Sequence, residues 1–292
     1  MNADKEMPVS ASDPIRVHPR SSVVRLALVQ MLVSPGDPVA NLGRARDRVA
    51  EAARGGAQVV VLPEAMDCGW THPCARDLAG AIPGGATCSA LVSLARSNGV
   101  YLCSGLIERD RDRLFNAAVL IDPSGRILLH HRKLNELDIA HALYDQGDRL
   151  GVARTPLGTF GLMICADGFA AGEVVGRTLG LMGADVILSP SAWAVPADHD
   201  NRKDPYGKLW HDCYGAVANE YGLWVVGVSN VGPIPAGPWA GRKCIGCSLV
   251  VAPGGEPVVQ GPHGSEAEAV LYVDVTPQAR GVRGSAWGDG TS

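Results

Sequence analysis

Short apolar runs, each stopped by glycine, proline or an acidic residue, alternate along the chain with segments of helical spacing. Residues 23–29 form the first run, broken at Ser34-Pro35-Gly36-Asp37-Pro38. Between 39 and 54 the period changes. Val39, Leu42, Ala45, Val49 and Ala52 share one helical face, and Gly55-Gly56 ends it. Residues 58–62 are again nearly all apolar and run into Pro63-Glu64. Strand, helix, strand in this order predicts a crossover unit within a buried sheet.

The alternation continues with a helix over 87–98, closed by Gly99, and a strand over 100–107. Segments 116–122 and 126–131 flank Pro123-Ser124-Gly125, which predicts a hairpin. Residues 134–149 read as a polar loop or short helical piece. A strand at 152–155 and the apolar run 160–164 follow, and the latter delivers Cys165 to the turn formers Asp167 and Gly168. A helix over 173–182, a strand over 185–188 ending at Ser189-Pro190-Ser191, a helix over 206–221 and a strand over 223–229 come next. Residues 243–251 and 257–260, around Pro253-Gly254-Gly255, predict a second hairpin, and 269–275 a last strand. No repeat or linker divides this series, so one α/β domain of mixed sheets with outer helices is expected over 23–280. Residues 1–22, polar and proline-containing, are expected to be a disordered extension, and 281–292 a flexible tail.

Composition narrows the function. A net charge of -4 gives no basis for nucleic acid or an anionic membrane as partner, and no apolar run reaches the length of a membrane span. Eight cysteines scattered through an apolar chain without a secretory segment point to reduced thiols in the cytoplasm. Cys244 and Cys247 form the one C-x-x-C and read as structural thiols on a strand. Asp198, His199 and Asp200 resemble metal ligands but have no further ligands at suitable spacing. No metal and no cofactor are expected.

Three strand ends carry reactive groups: Glu64 after VVVLP, Lys133 after ILLHHR and Cys165 within GLMICAD. Singly, each has an ordinary structural explanation, as a surface or capping carboxylate, a member of an exposed charge cluster and a small buried hydrophobe. Together they make a nucleophile and its helpers. A free thiol, with a pKa near ~8.5, needs a base or a positive neighbour before it attacks a carbonyl. Glu64 can take the thiol proton, and Lys133 can stabilise the oxyanion that forms.

The segments VVVLPEA, HHRKLNE and GLMICAD, in this order with the three residues at 64, 133 and 165, resemble the three signatures of the nitrilase superfamily of carbon-nitrogen hydrolases. Asn41, Asn116-Ala117-Ala118, Gly147-Asp148 and SPSAW at 189–193 add to the resemblance, which spans roughly 23–275. It implies a four-layer α/β/β/α sandwich, a homodimer or higher homo-oligomer, and a Glu-Lys-Cys triad working through a thioester. By it Glu64 is the general base, Lys133 the oxyanion stabiliser and Cys165 the nucleophile, with the Ala166 N–H as a second oxyanion donor. The loop glutamate common in such proteins falls here near Ala140-His141 and is absent, leaving Glu136 or His141 as substitutes. Asp167, Trp193, Tyr144 and Trp70 are further substrate-binding candidates. Ala166-Asp167 stands where nitrile hydrolases often carry Trp-Glu. The expected substrate is therefore a small linear amide or N-carbamoyl compound, with nitrile hydrolysis, or a degenerate member that only binds, as alternatives.

Overall fold

The computed structural model describes residues 23–278. The extension expected at 1–22 and the tail expected at 281–292 lie outside them. In chain order the elements are β1 (Val24–Gln30), α1 (Pro38–Arg54), β2 (Val59–Val61), α2 (Ala75–Leu78), α3 (Ala86–Asn98), β3 (Tyr101–Asp110), β4 (Arg113–Ile121), β5 (Ile127–Arg132), β6 (Val152–Thr155) and β7 (Gly158–Leu162). There follow α4 (Val174–Leu181), β8 (Val186–Ser191), β9 (Ala194–Val195), α5 (Lys208–Tyr221), β10 (Trp224–Ser229), β11 (Val231–Pro233), β12 (Lys243–Ile245), β13 (Leu249–Val251), β14 (Pro257–Gln260) and β15 (Ala269–Val275).

Two six-stranded sheets result, ordered β15-β1-β2-β3-β4-β5 and β14-β13-β10-β8-β7-β6. Each has three parallel strands at its centre (β1, β2, β3; β7, β8, β10) and antiparallel strands outside them. Alternate residues of each strand face opposite ways, and both faces are apolar. In β1, Leu26 and Leu28 enter the layer between the sheets with Phe160, Leu162, Val186 and Val228, while Ala27 and Val29 pack with Val49 of α1 and Leu91 of α3. On the other side, Ile187 and Val225 pack with Leu179 of α4 and Val217 of α5. The three cores make the four-layer α/β/β/α sandwich.

Four local expectations need correction. The run 243–251 is two strands, β12 in a small three-stranded sheet with β9 and β11, and β13 in a large one. Gly246 and Cys247 between them have φ of 68° and 62°, which an extended strand cannot hold, so Cys247 lies off the strand. The run expected to deliver Cys165 as a strand ends at Leu162, and Cys165–Phe169 is a 3₁₀ turn. The strand expected over 185–188 runs on through Ser189 and Pro190 and ends at Ser191 as β8. The short α2, β9 and β11 were not expected, being too brief to show a period.

Candidate active site

β2, β5, β7 and β8 run the same way through the two facing sheets, so the residues following them collect at one edge of the sandwich. Glu64 follows β2. Its N–H donates to the Ser191 carbonyl of β8 at 3.2 Å, and its backbone lies on Gly105 of β3, where a Cβ would come 2.5 Å from the Glu64 Cα. Gly105 is thus fixed by close approach of two backbones. Lys133 follows β5. Its N–H donates to the Asn116 carbonyl, and its carbonyl accepts from Gly147. The Gly147 position admits no side chain, since a Cβ would fall 2.1 Å from the Arg132 carbonyl oxygen. Arg132, held by Glu108 through two 2.7 Å bonds and stacked on Phe115, clamps the strand end beside the lysine.

Cys165 has φ of 43°, a left-handed conformation for a residue with a side chain. Such strain costs about 1–3 kcal/mol and is held by its surroundings. Here the holding group is Asp167. Its buried carboxylate accepts from the N–H groups of Ile164 (2.8 Å), Leu134 (3.0 Å) and Asn135 (2.8 Å), and pairs with His131 Nε2 at 2.8 Å. The turn bearing Cys165 is thereby tied to the chain on either side of Lys133.

Glu64 and Lys133 are both buried. Lys133 Nζ donates to Glu64 Oε1 at 2.8 Å, Asn116 Nδ2 donates to the same oxygen at 2.6 Å, and among the described residues Oε2 has no hydrogen-bond partner. Burial opposes the charge on Lys133, but Glu136, Glu64 and Cys165 outweigh it and hold its pKa above the ordinary value. Burial, and then the Glu64 carboxylate, push the Cys165 thiol well above its usual range, while Lys133 and the Ala192 backbone pull it down. A thiol held this high needs a base before it attacks, and Glu64, on the same cavity, has one oxygen without a hydrogen-bond partner among the described residues.

Cys165, Glu64 and Lys133 line one cavity of about 170 Å³ together with Ala166. Trp70 and Trp193 are also in its wall, the ring of Trp70 with Lys133 Nζ 5.5 Å from its centroid.

A family model described as carbon-nitrogen hydrolase matches residues 25–283. The chain belongs to that family. Over 258 residues it is 33% identical to a protein of Pyrococcus abyssi named "Nitrilase", covering 87% of this chain and 90% of that one. It is 37% identical to an omega-amidase of Xenopus tropicalis over 153 residues, 49% of this chain and 55% of the relative. Among solved structures, a variant amidase from Nesterenkonia sp. AN1, carrying the acetamide moiety of fluoroacetamide added covalently at its active site cysteine, superposes with a TM-score of 0.74 at 25% identity. That match covers 89% of this chain and 93% of the amidase.

Within this carbon-nitrogen hydrolase the structure brings Glu64, Lys133, Cys165, Ala166, Trp70 and Trp193 to one cavity and leaves four candidates outside its wall. Asp167 lies beneath the turn, wholly engaged by backbone and His131, so it positions rather than lines. The Tyr144 hydroxyl accepts from the Thr71 N–H at 3.2 Å, and its ring packs in the cluster behind Trp70. His141 is exposed, lines a separate outer cleft with Arg76 and Arg109, and its ring lies 3.3 Å from the Glu136 carbonyl and 4.0 Å from the Asp138 carboxylate. Glu136 Oε2 is 3.5 Å from Lys133 Nζ, although Glu136 is not among the residues lining the cavity. Burial, opposed by Lys133 and reinforced by Glu64, pushes its carboxyl pKa up.

Sequence reasoning missed Leu137, Phe169, Tyr206, Leu209, Trp210 and Trp239 in the wall and Asn116 on Glu64. Phe169 stood four residues beyond the nucleophile and Trp239 in the proline- and glycine-rich loop IPAGPWAG, both readable as pocket aromatics. Tyr206, just before α5, and Trp210, within it, fall in a stretch expected to be helix over 206–221, whose inward face only the fold assigns. Asp198, His199 and Asp200 form no metal centre: among the described residues no group of three or more His, Cys, Asp or Glu is placed to hold an ion. All eight cysteines are free, and among the described residues no helix is long and apolar enough to cross a membrane.

Proposed function

We propose that this carbon-nitrogen hydrolase cleaves a small linear amide or N-carbamoyl compound, with Cys165 as nucleophile, Glu64 as general base and acid, and Lys133 as oxyanion stabiliser. The observation that carries the reading is the buried 2.8 Å contact of Lys133 Nζ with Glu64 Oε1, at the cavity that Cys165 also lines. Cys165 Sγ bonds to the carbonyl carbon as its proton passes to Glu64 Oε2. Lys133 Nζ and the Ala166 N–H, early in its 3₁₀ turn and so without a partner inside it, stabilise the oxygen that becomes negative. The C–N bond then breaks, Glu64 returns the proton to the departing nitrogen, and ammonia or an amine leaves a thioester. Water, giving its proton to Glu64, attacks the thioester; the C–S bond breaks and the thiolate recovers that proton.

The Pyrococcus relative's name favours a second reading, a nitrilase. Rates on an aliphatic nitrile and its matching amide separate the two. Faster release of ammonia from the amide is expected, and faster release from the nitrile reverses the assignment.

The reading includes work in a reducing cytoplasm, which eight free thiols suit, and self-association into a homodimer or larger assembly. Light scattering tests the latter, with a monomer at micromolar concentration as the contrary result. For the chemistry, Cys165→Ala should abolish ammonia release across a panel of amides and carbamoyl compounds. Release persisting in that variant contradicts the assignment.

A further inference from the structure

The wall of the cavity has a chemistry that the three reactive groups do not require. Six aromatic side chains, Trp70, Phe169, Trp193, Tyr206, Trp210 and Trp239, surround a space of about 170 Å³. They also brace one another. Trp193 stacks on Trp210 with centroids 4.8 Å apart, Trp70 meets Trp239 edge-on at 4.9 Å, and Trp210 Nε1 donates to the Tyr206 hydroxyl at 2.8 Å. Cavities for drug-sized ligands begin near roughly 300 Å³, so this one suits a molecule of few heavy atoms.

Charge is the second constraint. Among the described residues Lys133 is the one cation lining the cavity, and Glu64 and Glu136 already hold it at 2.8 and 3.5 Å. Arg242 lies on Trp239, its guanidinium 4.4 Å from the ring centroid, and is not part of the lining. A carboxylate carried in by a substrate would lose its water, find no free partner and face Glu64. An ammonium group, which aromatic faces by themselves attract, would instead share the small space with the Lys133 charge. A neutral carboxamide with an apolar acyl group brings no further charge into this aromatic wall.

We propose that the site selects an uncharged carboxamide with a short apolar or aromatic acyl group, and discriminates against amides bearing a carboxylate or an ammonium group. This rests on the hydrolase reading above and names its substrate class. The test compares isobutyramide and benzamide with succinamate and betaine amide in two arms. In the first, ammonia release by the native enzyme gives kcat/KM, and the better neutral amide should exceed both charged ones by on the order of 100-fold. In the second, quenching of tryptophan fluorescence in Cys165→Ala measures binding without turnover, and the same order is expected. Preference for succinamate or betaine amide in either arm overturns the proposal. Equal binding of all four overturns it too, even if no amide is hydrolysed, whereas absence of turnover alone counts against the hydrolase reading only.

Discussion

His131 Nε2 and Asp167 Oδ2 lie 2.8 Å apart, both buried, and join the end of strand β5 to the turn that begins at Cys165. Because Asp167 also takes three backbone N–H groups, its loss would unpair donors on both sides of the site. Asp167→Asn keeps one acceptor oxygen and should destabilise the fold by about 3 kcal/mol in urea titration. Since the nucleophile and Lys133 are displaced relative to each other, kcat should fall more than KM rises. Burial would raise the Asp167 pKa, but His131 and the N–H groups hold it below its ordinary 3.8. The native protein therefore gains stability from this carboxylate above pH 3.8 and loses it as pH falls further, a loss the variant should not show.

Lys133 pairs with two buried carboxylates, Glu64 at 2.8 Å and Glu136 at 3.5 Å, and removing it leaves both without this cation. Lys133→Met should therefore cost about 3–5 kcal/mol as well as activity. Adding Glu136→Gln to that variant removes one of the opposed charges and should recover part of the stability while activity stays absent. Equal stability of the single and double variants would show that Glu136 does not feel the lysine.

Gly105→Ala places a methyl group against the Glu64 backbone. The strands must part, at a cost of about 1–3 kcal/mol, and the carboxylate moves with them. The expected result is a lower Tm with a loss of kcat larger than that from an alanine at Gly43, which has nothing within 4 Å of its added Cβ.

Asp67 offers a pH effect of opposite sign, away from the chemistry. Burial pushes its carboxyl up to about 6, against hydrogen bonds from the Cys68 and Ile107 N–H groups. Between the unfolded value of 3.8 and about 6 the native state holds the proton more tightly, so stability falls as pH rises through that window and levels off above it. The span corresponds to about 3 kcal/mol. Asp67→Asn should flatten it, as read from denaturation midpoints at pH 4.5 and 7.

The frame was legible because its signals are local. Apolar strands buried on both faces announce themselves as continuous runs, and the helices carried their period and their glycine stops. Glu64, Lys133 and Cys165 were legible because each closes such a run. The cavity wall was not, since Trp193, Tyr206, Trp210 and Trp239 come from the link between β8 and β9, the approach to α5, α5 itself and a late loop, and only the packing of the layers brings them together. His141 and Tyr144 illustrate the converse. Distance along the loop suggested the site, but a 3₁₀ turn at Asp138–Ala140 sends His141 to an outer cleft and Tyr144 into a core.

Covalent capture at Cys165 tests the central claim most directly. Intact-mass and peptide mass spectrometry after incubation with benzamide, quenched in acid during turnover, should show a benzoyl adduct on the peptide containing Cys165 and none in Cys165→Ala. Glu64→Gln should form the adduct about 10² to 10⁴ times more slowly. Ammonia release with no acyl group on Cys165, or an adduct on another cysteine that tracks turnover, contradicts the account.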